Sequence, residues 1–246
     1  MVSEDLKYRA GDKELKGYLC HDKGVTDKRP GVIVVHAWRG LDDFAKHKAE
    51  SLARMGYIAF AADMYGIEKP VETDAEASKL MLPLFLDREE MRRRIVAAYE
   101  VFAKHPLVDS SRIAAIGFCF GGMVVLELLR SNVGAKGVVS FHGLLGYKLG
   151  DKEAKKVPMV PGTKGSALIL HGHDDPSVPP QDVADIEAEF TKANIDWQLY
   201  AFGHTGHAFM NPIADNKAGG TFYQEQTARR AWAAMRNYFN DLFAGL

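Results

Sequence analysis

The segment Gly117-Phe118-Cys119-Phe120-Gly121-Gly122 places a thiol at the centre of a glycine-flanked turn. Between a buried strand and a helix, a Gly-x-nucleophile-x-Gly turn holds its middle residue in a strained backbone, and the small flanking residues relieve the crowding. The side chain is lifted clear of the strand, and the free N–H groups and positive dipole end of the following helix favour a thiolate. The apolar run 113–118 before the turn and the helical pattern through residues 126–130 after it supply that context. Cys119 is therefore read as a nucleophile rather than as a small buried thiol filling a packing turn, the usual fate of a free cysteine. Cys20, the only other cysteine, lies in an edge-like strand without glycines flanking it and is read as structural.

A thiol nucleophile needs a base to take its proton and an acid to orient that base. After a nucleophile turn of this kind the acid and then the histidine follow in chain order, each in a loop after a later strand. Two loops fit. Gly172-His173-Asp174-Asp175-Pro176-Ser177-Val178-Pro179 follows an apolar strand over 167–171, and Gly203-His204-Thr205-Gly206-His207-Ala208-Phe209 follows a strand over 196–202. Spacing alone leaves Asp174 beside Asp175 and His204 beside His207 as rivals. With His171 and His173 the same loops hold enough donors for a metal-dependent hydrolase, but they lack the two-histidine helical spacing of a zinc protease. No metal and no cofactor is expected.

A sheet must carry these loops. Residues 15–21 read as an early strand, and the β-branched run from Val32 to Val35 reads as a strand buried on both faces. Asp42 and Asp43 precede a helix over 44–55, ended by Gly56, and a strand over 57–62 follows. The charged segment 73–105 is expected to break near Pro83 and to resume as a helix from Asp87, with Arg92-Arg93-Arg94 on its wet face. A strand over 137–141 and helices over 181–192 and 222–243 complete the alternation. Strands separated by helices imply an α/β fold with a mostly parallel central sheet and helices on both faces. With no flexible linker, residues 1–246 are read as one domain, in which the Lys-, Gly- and Pro-rich stretch 144–165 is an excursion bordering the pocket.

Composition narrows the function. With 47% hydrophobic residues there is material for a sizeable core, and a formal net charge of −1 provides no basic field for a nucleic-acid backbone. No apolar run is long enough to cross a bilayer, no signal peptide is visible, and two cysteines make no disulfide framework, so a cytoplasmic protein with no membrane partner is expected.

Together, the elbow, the Gly172-x-x-Asp175-x-x-Val178-Pro179 loop, the Gly206-His207-Ala208-Phe209 loop and Ala62-Asp63-Met64-Tyr65 resemble the dienelactone hydrolases, and the match runs nearly end to end. The resemblance implies an α/β-hydrolase fold and a Cys119, His207, Asp175 triad, settling the two rival pairs, with a small ester or lactone as substrate. The oxyanion hole is then expected from the backbone N–H of Phe120, after the nucleophile, and that of Trp38, after the strand ending at His36. Tyr65 is expected to line the pocket. Two departures count against the dienelactone substrate itself: Ala37 stands where the family has an acid that restrains the cysteine, and Asn211 where it has an arginine for the substrate carboxylate. Arg39 is the candidate replacement clamp. Activated phosphoesters are candidate additional substrates, and the rival to catalysis is a thiol-sensing or binding protein on the same fold.

Overall fold

The computed structural model describes residues 1–244. In chain order the elements are β1 (Val2–Ala10), β2 (Lys13–His21), β3 (Arg29–Val35), α1 (Asp43–Arg54), β4 (Ile58–Ala62), α2 (Asp74–Leu86), α3 (Arg88–Ala103), β5 (Val108–Phe118) and α4 (Phe120–Arg130). There follow β6 (Gly137–Phe141), β7 (Lys148–Leu149), β8 (Lys152–Glu153), β9 (Ser166–Gly172), α5 (Pro180–Lys192), β10 (Asp196–Phe202), β11 (Asp215–Asn216), β12 (Thr221–Phe222) and α6 (Glu225–Ala244).

Eight strands form one sheet in the order β1-β2-β4-β3-β5-β6-β9-β10. β1 and β2 are an antiparallel hairpin, β2 pairs antiparallel with β4, and the pairs from β4 to β10 are parallel. Side-chain alternation explains why the central strands are apolar throughout. In β3, Ile33 and Val35 join a core with α2, α3, α4 and α5, while Val32 and Val34 join a second core with α1 and α6. A strand covered on both faces has no wet side to spare for a polar residue.

Several elements differ from the sequence reading. β1 was not anticipated, because its outer face is charged and only Tyr8 and Ala10 are fully buried. Its presence moves β2 off the edge: Cys20 sits between Ser3 and Ala59, fully buried, and burial pushes its thiol up to about 12, the state of an inert structural cysteine. Pro83 lies inside α2 rather than at its end; the chain breaks at Asp87, whose side chain accepts the Glu90 N–H at 2.9 Å and caps α3. The arginine run is not all solvated either. Arg93 is exposed, but Arg92 turns inward to Glu127 at 2.8 Å, and Arg94 donates to the Met64 carbonyl at 2.8 Å. The last helix starts at Glu225, because residues 221–222 pair in β12.

Residues 144–165 are the crossover from the C-terminal end of β6 to the start of β9. Leu144 and Leu145 are buried, and Gly146, Val157, Pro158 and Val160 are fastened through their backbone groups by hydrogen bonds to α3 and α4. Arg88 donates to the Gly146 carbonyl at 2.9 Å, and Arg92 to those of Pro158 and Val157 at 2.9 and 3.1 Å. Those guanidiniums are balanced by Glu127, which is fully buried and also 3.1 Å from Arg130. Removing one charge from such a cluster strands the others in a low dielectric. Glu127→Gln is accordingly expected to lower unfolding free energy by about 3 kcal/mol or more in urea titrations; a loss of under about 1 kcal/mol, the scale of an exposed pair, would contradict this account of the crossover.

Candidate active site

The parallel strands end in step, which brings their following loops together. Val35 pairs with Gly117, Phe118 with Phe141, Phe141 with Leu170, and Gly172 with Phe202. Ligand sites in open parallel sheets form outside these carboxyl ends. Cys119 follows β5 with φ 54° and ψ −114°, a left-handed backbone in which only strong surrounding constraint holds a side-chain-bearing residue. Three glycines provide that constraint by permitting close approach. A Cβ on Gly117 would strike the Gly121 carbonyl, one on Gly121 the carbonyls of Val35 and His36, and one on Gly122 the Gly143 backbone and Ser140 hydroxyl. The Cys119 N–H donates to the Phe141 carbonyl at 3.0 Å, and the thiol remains part-exposed at the start of α4.

The loops after β9 and β10 separate the rival residues by burial. Asp175 and His207 are 4% and 7% exposed, and His207 Nδ1 lies 2.7 Å from Asp175 Oδ2. A carboxylate only accepts, so Nδ1 carries a proton and Nε2 is the nitrogen left to serve the sulfur. The other carboxylate oxygen accepts the Ser177 N–H at 2.8 Å. His207 is itself held by backbone bonds, its N–H to Gly220 at 2.7 Å and its carbonyl from Phe222 at 3.1 Å. His204, by contrast, projects fully into solvent, 4.0 Å from an exposed Asp174. Burial opposes a charge on the His207 ring, but the Cys119 sulfur beside it and the hydrogen-bonded Asp175 more than offset this and raise its pKa to about 10. Among the described residues, no three histidine, cysteine or acidic side chains converge as a metal would require.

The loop after β3 carries Trp38, half-buried against the same core as Cys119. Phe120 opens α4, and the first N–H groups of a helix have no partner within it. Both backbone donors therefore lie at the sulfur-bearing end of the sheet. Tyr65, expected to line the pocket, is 3% exposed and donates its hydroxyl to the Trp38 carbonyl at 3.0 Å, so it holds the loop. Asp63 places it there by accepting the N–H groups of Tyr65 and Gly66 at 2.8 and 2.9 Å. The clamp expected of Arg39 is not the geometry present: its guanidinium turns to Asp74 at 2.6 Å and to the Glu72 carbonyl. Ala37 offers no acid, and Asn211 caps its own turn, accepting from Ile213 at 3.3 Å.

Two buried histidines went unread in the sequence. His36 lies at the end of β3, its ring between Tyr65 and Phe120 at centroid distances of 4.8 and 6.0 Å. His142 follows β6 with φ 39° and packs edge-to-face against His207 at 5.3 Å and Phe209 at 5.0 Å. Neither ring nitrogen of His142 has a hydrogen-bond partner among the described residues, and burial, with His207 and Lys48 nearby, pushes its pKa well below the usual value. A neutral imidazole thus backs the charged one. The signal available for both was a histidine directly after an apolar strand.

Comparison with known proteins bears on the family and the fold. The chain is 27% identical over 211 residues to a probable 2-oxo-3-(5-oxofuran-2-ylidene)propanoate lactonase of Bradyrhizobium sp, covering 85% of this chain and 82% of that one. It is 26% identical to a putative carboxymethylenebutenolidase of Aquifex aeolicus, covering 97% and 98%. Among solved structures, a dienelactone hydrolase-like promiscuous phosphotriesterase from metagenomic libraries superposes with TM-score 0.89 at 35% identity, over 98% of both chains. A putative dienelactone hydrolase from Klebsiella pneumoniae shares the fold, with TM-score 0.80 at 21% identity over 97% and 98%. The sheet is that of an α/β-hydrolase, and the profile of the dienelactone hydrolase family matches residues 15–243. This chain belongs to the dienelactone hydrolase family of hydrolases.

Proposed function

We propose that the protein hydrolyses small carboxylic esters or lactones through a thioester on Cys119. The observation that carries this reading is the buried 2.7 Å contact between Asp175 and His207, set against the sulfur at a strained elbow. With the thiol's proton held on His207 Nε2, as the raised basicity of that ring requires, sulfur adds to the carbonyl carbon and the electron pair of the C=O bond moves onto oxygen. The N–H groups of Phe120 and Trp38 receive that oxyanion. Collapse expels the alcohol, which leaves with the proton from His207. Water, deprotonated by the same nitrogen, then adds to the thioester, and the carboxylic acid departs as the thiol is restored.

The site favours a neutral substrate. With Asn211 in place of the family's arginine and Arg39 turned to Asp74, neither of these positions offers a free guanidinium to a carboxylate among the described residues. Aryl phosphotriesters are a second substrate class, supported by the metagenomic phosphotriesterase to which the chain is 35% identical. A phosphoryl oxygen develops charge where the carbonyl oxygen does, so the same donors serve.

Wild type is expected to hydrolyse a short-chain aryl ester, and Cys119→Ala or prior alkylation to lower that rate by about 10⁴-fold or more. Undiminished turnover in Cys119→Ala would sink the assignment, and an inactive wild type with an oxidant-sensitive thiol would favour thiol sensing. Phenol release from an aryl phosphotriester should disappear in the same variant; if it survives, that activity belongs to another site. A further expectation concerns pH. His207 is more basic folded, about 10, than its ordinary 6.5, so its protonation stabilises the fold fully below pH 6.5 and that contribution is lost as pH rises through about 10. Urea midpoints of wild type should fall relative to those of His207→Gln between pH 7 and 10; parallel curves would show that the ring is not so perturbed.

A further inference from the structure

An oxyanion donor is worth as much as its aim, because the stabilisation comes from N–H groups fixed in advance where charge develops. The elbow aims Phe120. Trp38 lies in a turn after β3, where neither helix nor sheet fixes its N–H. The Ala37 carbonyl and the Trp38 N–H are opposite ends of one planar trans peptide, so whatever holds the carbonyl aims the N–H.

That carbonyl lies 2.5 Å from Nδ1 of His36, and its other partner, the Gly40 N–H, stands at a long 3.4 Å. The Nε2 of the same ring lies 3.1 Å from the Met64 N–H. A carbonyl can only accept and an amide N–H can only donate, so the ring has one consistent form, a proton on Nδ1 and a lone pair on Nε2. Burial pushes the ring's pKa down despite the nearby Asp63, which keeps that neutral form. The ring is fully buried and cannot swing, because Tyr65 and Phe120 lie against it. The hydroxyl of Tyr65 also holds the next carbonyl, that of Trp38. The bonds run in one direction: Met64 N–H to His36, His36 N–H to Ala37 carbonyl, and onward through the peptide to the Trp38 N–H. Hydrogen bonds aligned in this way polarise one another.

We propose that His36 is a positioning residue for ester cleavage: its imidazole aims the Ala37–Trp38 peptide, and strengthens its N–H as an oxyanion donor, without touching the substrate. This rests on the ester-hydrolase reading above. It also accounts for a buried histidine that the triad chemistry leaves unused.

The test compares His36→Asn, His36→Gln and His36→Phe. Asparagine carries an amide at the δ position and can still donate to Ala37; glutamine carries its amide at the ε position, toward Met64; phenylalanine keeps the shape and neither bond. Three readouts are taken: kcat and KM on a short-chain aryl ester, the rate of Cys119 alkylation by iodoacetamide, and the thermal midpoint. Alkylation forms no oxyanion, so it reports the cysteine and its histidine without the hole. Phenylalanine and glutamine variants should lose about 10- to 100-fold in kcat with KM within about threefold, while the asparagine variant recovers most of the rate. Alkylation should stay within about twofold of wild type in all three. Wild-type kcat in the phenylalanine or glutamine variant overturns the proposal, as does alkylation falling in step with turnover, which is the signature of general damage. Should the phenylalanine variant not fold, equal kcat in the asparagine and glutamine variants overturns it. Absence of Cys119-dependent turnover in wild type overturns the ester-hydrolase reading and this proposal with it, whereas these variants measured on a Cys119-dependent enzyme bear on His36 alone.

Discussion

The site depends on backbone meeting backbone where β3, β5 and α4 converge. Gly121 lies so close to the carbonyls of Val35 and His36, and Gly117 so close to the Gly121 carbonyl, that no side chain fits at either position. This contact drives Cys119 into a left-handed backbone, and places the first amides of α4 beside the loop that carries Trp38. Strain at a functional position persists only when its surroundings over-determine it. Here the surroundings are the two apolar cores, which clamp the central strands from both faces and leave the elbow no room to relax.

Around that contact the polar groups at the sheet's carboxyl end are sorted by burial. Asp175 and His207 are dry and paired, which strengthens their mutual attraction, while the neighbouring Asp174 and His204 stand in solvent. His36 is dry and satisfied on both ring nitrogens, but His142 is dry and, among the described residues, has a protein partner on neither. An unpaired buried imidazole is costly, and its edge-to-face packing against His207 and Phe209 is the compensation that the geometry offers. At the opposite end of α4, Glu127 gathers three arginines, two of which also bind the crossover's carbonyls, so the segment between β6 and β9 is secured without a helix of its own.

Legibility in the sequence followed the strength of the physical signal. The central strands were plain because both their faces are buried, and the elbow was plain because its glycines answer to a steric demand. Loop position in the sequence yields only the rival pairs Asp174 and Asp175, His204 and His207, and family resemblance chooses between them; burial, which separates them in the structure, leaves no mark on a one-residue choice. β1 was missed because only its inner face is apolar. A charged run on a helix usually is solvated, which is what the sequence of Arg92 and Arg94 suggests, and the buried acid that draws Arg92 inward lies 35 residues away in the chain. The hydroxyl of Tyr65 bonds the Trp38 carbonyl, a partner 27 residues away in the chain that no local pattern marks. His36 and His142 carry no local pattern beyond their place after a strand, because their partners come from other elements.

The central claim is that acyl groups pass through Cys119, and the most direct measurement is mass spectrometry of the protein quenched in acid during turnover of a short-chain aryl ester. The account predicts an added acyl mass on the peptide containing Cys119, released by hydroxylamine and absent from Cys119→Ala. An acyl group on any other residue, or steady turnover by protein in which Cys119 is never modified, would contradict it.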